Sequence, residues 1–191
     1  YTEAQYYARV TWASDSSAAG SVIPSVDPLA PGAGGAVWII PASGMMATHL
    51  ADFTGDFLFG GNADRLSPDL SRIGFPRDTA VPNVSELVLA NANGSGASVY
   101  AIGQITWLGW APFSSHFTYS FGDPTNLQLG TPGGGPVSLA TGIRLRWIDA
   151  TRFLYLSGSF GSWTLQQGEI GAAPVPLASP AGDFIAFDFD S

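Results

Sequence analysis

The sequence has no cysteine and no lysine, and few charges of either sign. Without Cys there are no disulfides, no thiol nucleophile and no Cys-ligated zinc. Charged residues make up 12% of the chain, about half the roughly 25% usual in soluble domains. Seven bases, all Arg, stand against 15 acids for a net charge of −8. A nucleic-acid-binding domain carries the opposite balance and a basic stripe, so DNA and RNA are excluded as main partners. No apolar run reaches the roughly 18 residues of a membrane-spanning helix, so membrane insertion is not expected. Histidine occurs only at positions 49 and 116, and there is no Gly-x-Ser-x-Gly elbow. Serine-based nucleophilic catalysis therefore has no visible support.

Hydrophobic residues reach 46% and aromatics 13% of the 191 residues, enough for a sizeable core in a single domain spanning 1–191. Gly 24 and Pro 14 punctuate the chain too often for long helices. The apolar residues fall in short segments with strand character, bounded by Gly, Pro, Ser, Asn or Asp. Gln5–Ala13 alternates along its length, and Ala36–Pro41 reads as a strand buried on both faces. Phe53–Phe59, Val84–Ala90 and Ser98–Leu108 follow, the last two joined as a hairpin by a turn rich in Asn and Gly. His116–Phe121, Gly142–Ile148, Arg152–Ser157, Ser162–Gln167 and Phe184–Phe189 continue the pattern. About ten strands at roughly 8–12-residue spacing suit a sandwich or barrel. The one helix expected is short, at Ser67–Ile73, and long loops are expected at 14–35 and 60–83.

Between Thr79 and Ile143 the only formal charges are Glu86 and Asp123. A surface so poorly charged fits contact with neighbouring copies, with other structural proteins or with a flat ligand, although Ser and Thr can also wet a sheet unaided.

The run Gly142-Ile-Arg-Leu-Arg-Trp-Ile-Asp-Ala-Thr-Arg-Phe-Leu-Tyr-Leu, followed by Gly161-Ser-Trp-Thr-Leu-Gln-Gln, resembles the central hairpins of concanavalin-A-like, laminin-G-like jelly-roll modules. Such modules occur in bacteriophage tail proteins and bacterial surface proteins. The resemblance implies an all-β, antiparallel β-sandwich of jelly-roll type with long Gly/Pro-rich loops. It further implies a non-catalytic structural or adhesive module of a virion (phage tail, fibre or decoration protein) or of a bacterial surface assembly. A carbohydrate-binding module recognising a host or matrix glycan is the alternative, and a glycoside hydrolase or lyase the third reading. The localisation that follows is virion or extracellular. Alternation and the resemblance together place Leu145, Trp147, Tyr155, Trp163 and Phe187 in the core.

Jelly-roll glucanases carry a clustered Glu-x-Asp-x-x-Glu strand, whereas the Glu residues here are isolated at 3, 86 and 169. The stronger candidate is aromatic. Trp107, Trp110 and Phe113 end a strand and enter a Gly/Pro turn, so they cannot all face one core, and with His116 they form a candidate glycan or partner contact. Asp52, Asp56, Asn62 and Asp64, with Asp69 nearby, crowd a Gly-rich stretch. Oxygen ligands on such loops suit calcium, and the same residues suit turns and caps.

Overall fold

The computed structural model describes residues 9–24, 34–55, 65–113, 115–122, 126–159 and 161–179, and all regular structure among them is β. Fifteen strands form four antiparallel sheets, each a meander of strands consecutive in the chain. Sheet I holds β1 (Arg9–Trp12), β2 (Ala18–Pro24), β3 (Gly34–Pro41) and β4 (Thr48–Thr54). Sheet II holds β5 (Arg72–Asp78), β6 (Ser85–Asn91) and β7 (Ser98–Gly103), and an antiparallel bridge from Leu66 to Ile73 extends it along the free edge of β5. Sheet III holds β8 (Ile105–Trp110), β9 (Phe117–Phe121), β10 (Asn126–Gly130) and β11 (Val137–Thr141). Sheet IV holds β12 (Ile143–Trp147), β13 (Arg152–Ser159), β14 (Ser162–Glu169) and β15 (Val175–Ala178).

The jelly-roll sandwich is therefore corrected to four stacked meanders. A jelly roll needs strands that cross between two facing sheets, whereas every strand here pairs with its sequence neighbour inside one sheet. The decisive point is Ser98–Leu108, which reads as one strand but breaks at Gln104: β7 closes sheet II and β8 opens sheet III. Nor is Ser67–Ile73 helical. Ser67, Asp69 and Ser71 satisfy one another, Asp69 accepting from the Ser71 N–H (3.1 Å) and hydroxyl (2.7 Å), and the Arg72 N–H donates to the Ser67 hydroxyl at 3.0 Å. Such local bonds compete with a helix and win here. The expected long loops also contain strands, β2 in one and β5 in the other. Phe184–Phe189 lies outside the described residues, as do parts of Gln5–Ala13 and Phe53–Phe59.

Alternation along each strand supplies apolar residues to both sheet faces, and consecutive sheets consume them pairwise. Val22 and Val37 of sheet I meet Leu66, Ile73, Phe75 and Val88 of sheet II. Leu87 and Leu89 meet Trp107, Trp110, Phe117 and Tyr119 of sheet III. Leu127 of sheet III meets Leu145, Phe153 and Tyr155 of sheet IV. Of the expected core residues, Leu145 and Tyr155 are buried, Trp147 and Trp163 are half-buried, and Phe187 lies outside the described residues.

Polar ties reinforce two junctions. The Trp110 indole donates to the Arg65 carbonyl at 2.8 Å, joining sheet III to the segment ahead of β5, and the Trp147 indole donates to the Thr118 hydroxyl at 3.3 Å, joining sheet IV to sheet III. Gly74 is required by the junction of sheets II and III, because a Cβ there would enter the Trp107 ring.

Candidate functional site

In a four-strand meander the first and third turns fall at one end of the sheet, and stacking brings these turns of successive sheets together. The Ser14 N–H donates to the Pro68 carbonyl and the Ala92 N–H to the Ser71 carbonyl, both at 2.8 Å, so the turns before β2, β5 and β7 meet on one face.

Two clefts open on this turn face. The first, about 240 Å³, is built by Ser14 from sheet I, Ser67, Asp69 and Arg72 from sheet II, and Trp110 and Phe113 from sheet III. The second, about 390 Å³, runs between Arg72, Ser98 and Tyr100 of sheet II and the proline-flanked glycine run 132–136 of sheet III. Arg72 lines both and is exposed between them. A guanidinium so placed offers a bidentate donor fork to a carboxylate. Burial raises the Asp69 pKa, but hydrogen bonds from Ser67 and Ser71 outweigh it and hold the carboxyl below its ordinary value. Asp69 is thus a fixed anion at the edge of the first cleft.

The aromatic candidates divide. Trp107 is wholly buried, its ring stacked on Phe117 with centroids 5.5 Å apart, and belongs to the junction of sheets II and III. Trp110 is buried but lines the first cleft. Phe113 is 75% exposed and adopts φ 54°. His116 is half-buried and closes the same turn, its carbonyl accepting from the Ala111 N–H at 2.9 Å. Only Trp110 and Phe113 of this set reach the cleft. The calcium candidates are not gathered by the described structure: Asp52 is bonded to His49 at 3.1 Å on sheet I, while Asp56, Asn62 and Asp64 lie outside the described residues. Among the described residues no group of three or more His, Asp or Glu side chains is placed to hold a metal ion.

Sequence reasoning missed Arg72, and it missed Met45 and Met46, which stand 72% and 88% exposed in the turn between β3 and β4. A methionine pair set between Gly44 and Ala47 in a turn was the available signal, since flexible thioethers in solvent serve adaptable contacts better than packing.

No family model matches the sequence, and no curated protein matches it. Solved structures do. The chain is similar to the β-propeller domain of the trilobed protease from Pyrococcus furiosus, with 14% identity and a TM-score of 0.59 over 91% of this chain and 57% of that one. It is similar to TolB from Acinetobacter baumannii, with 16% identity and a TM-score of 0.57 over 91% of this chain and 44% of that one. Prolyl oligopeptidase B from Galerina marginata follows, with 10% identity and a TM-score of 0.55 over 94% of this chain and 28% of that one. The chain thus spans less than two thirds of each of these proteins.

These likenesses show fold alone, and the fold is propeller-like: small meanders stacked in chain order, each sheet a blade. The resemblance to concanavalin-A-like and laminin-G-like modules is overturned, since the neighbours are β-propeller domains. The functional readings drawn from that resemblance, first among them the virion or bacterial-surface module, are overturned with it, because the fold they assumed is not the one found.

Proposed function

We propose that the chain contributes consecutive blades to a β-propeller and acts as a binding module, taking an extended peptide segment across its turn face. The observation that carries this reading is the pair of clefts that share Arg72, the first of them lined by the exposed Phe113. Trp110, Phe113 and Pro68 give the first cleft an apolar wall for a side chain, and Arg72 gives the boundary a carboxylate receptor. The net charge of −8 repels a polyacidic partner, so the segment carries a single carboxylate beside an apolar residue. The role is recognition rather than catalysis. His49 is engaged by Asp52 and by the Trp38 ring, whose centroid lies 4.9 Å away, rather than paired to a hydroxyl nucleophile.

Selection of a random peptide library on the purified chain tests the proposal, with affinities measured by fluorescence anisotropy. Peptides pairing an apolar residue with one carboxylate should be enriched. Arg72→Ala should weaken them at least about tenfold, the loss of one charge-assisted contact, and Phe113→Ser should do the same. Absence of enrichment, or binding indifferent to both substitutions, overturns it.

A further inference from the structure

The two clefts of the turn face differ in charge, and the difference orients a peptide laid across them. The first carries Asp69, held ionised by hydrogen bonds from the Ser67 and Ser71 hydroxyls. Among the described residues lining the second, none is acidic and Arg72 alone is charged. Arg72 is exposed and forms no ion pair with another described residue, so its guanidinium is open to an incoming anion. A carboxylate entering the first cleft would face Asp69, whereas in the second it meets only the positive charge. The carboxylate therefore belongs in the second cleft and the apolar side chain in the first, against Trp110 and Phe113.

The walls of the second cleft distinguish a chain end from a side chain. On the sheet II side Tyr100 is fixed edge to face on Phe117, with ring centroids 4.9 Å apart. On the sheet III side the wall is the glycine run 133–135. Gly133 is set by its turn: it holds φ 81°, and the Gly134 N–H closes the turn onto the Thr131 carbonyl at 2.9 Å. A Cβ on Gly134 would strike the Thr131 hydroxyl. Gly135 has no such reason. Its φ lies outside the left-handed region, a Cβ there would meet nothing within 4 Å, and the following Pro136 favours an extended backbone that any residue adopts. What glycine does at 135 is leave the backbone bare, so that another main chain can approach it closely. We infer that the second cleft receives the C-terminal carboxylate of the bound peptide, which rests on the peptide reading above and fixes the end of the peptide that is held. Arg72 supplies the charge-assisted fork, with the Ser98 hydroxyl and the glycine-run backbone on the facing walls. Capture of a terminal carboxylate by backbone N–H groups is a recurring recognition mode. A side-chain carboxylate stands off from its own main chain, whereas a chain end carries the anion on the main chain itself, so only there do the bare wall and the guanidinium meet the same group.

Two peptide arrays of the same random sequences, one synthesised with free C-terminal carboxylates and one with C-terminal amides, are probed with the labelled chain, and affinities of the selected peptides are measured by fluorescence anisotropy. Binding is expected on the free-ended array, and amidation of a selected peptide should raise its dissociation constant at least about tenfold, the loss of one charge-assisted contact. Gly135→Val should weaken the free-ended peptide to a similar extent while leaving the far-UV circular dichroism spectrum and the urea midpoint unchanged, because its side chain enters open space. Gly135→Ala is the milder variant if the valine chain does not fold. Peptides that bind equally with free and amidated ends, yet lose affinity in Phe113→Ser, overturn the terminal-carboxylate inference and leave peptide binding standing. A folded Gly135→Val chain that binds free-ended peptides as tightly as wild type overturns it as well. No binding on either array overturns peptide binding itself, and the inference with it.

Discussion

Trp107→Ala probes whether consecutive sheets are held together by the packing described. Trp107 is wholly buried, stacks on Phe117 at 22° between ring planes, and meets Trp110 edge to face at a centroid distance of 5.8 Å. Its ring also occupies the space left by the missing side chain of Gly74, across the junction of sheets II and III. Truncating a core Trp to Ala costs about 3–5 kcal/mol. With a urea m-value of about 2 kcal/mol/M, the midpoint should fall by roughly 1.5–2.5 M. Gly74→Ala attacks the contact from the other side by driving a methyl into the indole, at about 1–3 kcal/mol. In the double variant the added methyl has no ring to strike, so the loss should be smaller than the sum of the two single losses. Urea unfolding monitored by circular dichroism measures all three. A Trp107→Ala shift below about 0.5 M, or strict additivity with Gly74→Ala, would falsify the packing of sheet II on sheet III.

Asp149 accepts from the Thr151 and Arg152 N–H groups and from the Arg152 guanidinium, which together hold its carboxyl well below the ordinary value. A depressed folded pKa gives stability that is present above the unfolded value of 3.8 and lost as pH falls below it. Wild type should therefore lose urea resistance between pH 5 and pH 2.5, and Asp149→Asn should flatten that acid limb; equal slopes would dismiss the turn as a contributor. Tyr119 is pushed up to about 12 by burial and then by the neighbouring Tyr100. Absorbance titration near 295 nm should show a fraction of tyrosine that ionises only near that pH, and Tyr119→Phe should remove it. Because the unfolded phenol releases its proton near 10, stability should fall above that pH and fall less in the variant.

Local chemistry made several elements legible. The turn joining β6 to β7 is where Asn91, Asn93 and the glycines put it, with Asn93 accepting from the Ser95 N–H at 3.1 Å and Gly94 at φ 85°. The hairpin of β12 and β13 turns on Asp149, whose carboxylate accepts from the Thr151 and Arg152 N–H groups, and β13 and β14 pair down to Ser159 opposite Ser162, where the Gly158–Gly161 run was expected to join them. Strands built from weak formers escaped notice. β2 is Ala-Ala-Gly-Ser-Val-Ile-Pro, and its Gly20 leaves room for Leu66 where a larger residue would not fit. β5 carries Pro76, and a proline inside a run demotes it as a strand. The sandwich expectation failed for a deeper reason. Alternation reports that a face is buried, never which sheet buries it, so Ser98–Leu108 gave no local sign of passing from one sheet to the next. The candidate site failed in the same way. Trp110 and Phe113 stood out beside a turn, but Arg72 gains its meaning only where three sheets meet.

Stacking also decides where binding chemistry can reside. Sheets II and III each spend both faces on their neighbours, through the three apolar clusters, so their side chains free to meet a partner are those at turns and edges. Turn residues are ordinarily chosen for backbone geometry, which is why Asn83 takes φ 60° without cost to expectation. Phe113 breaks that rule twice: it holds φ 54°, a conformation that Gly adopts more readily, and it leaves a large apolar ring in water. Neither packing nor turn formation profits from an aromatic residue there. Its neighbour Trp110 shows the contrast, with its ring buried and its indole N–H spent on the Arg65 carbonyl. An exposed ring beside a cleft that Trp110 and Arg72 also line is what the proposed peptide contact would use.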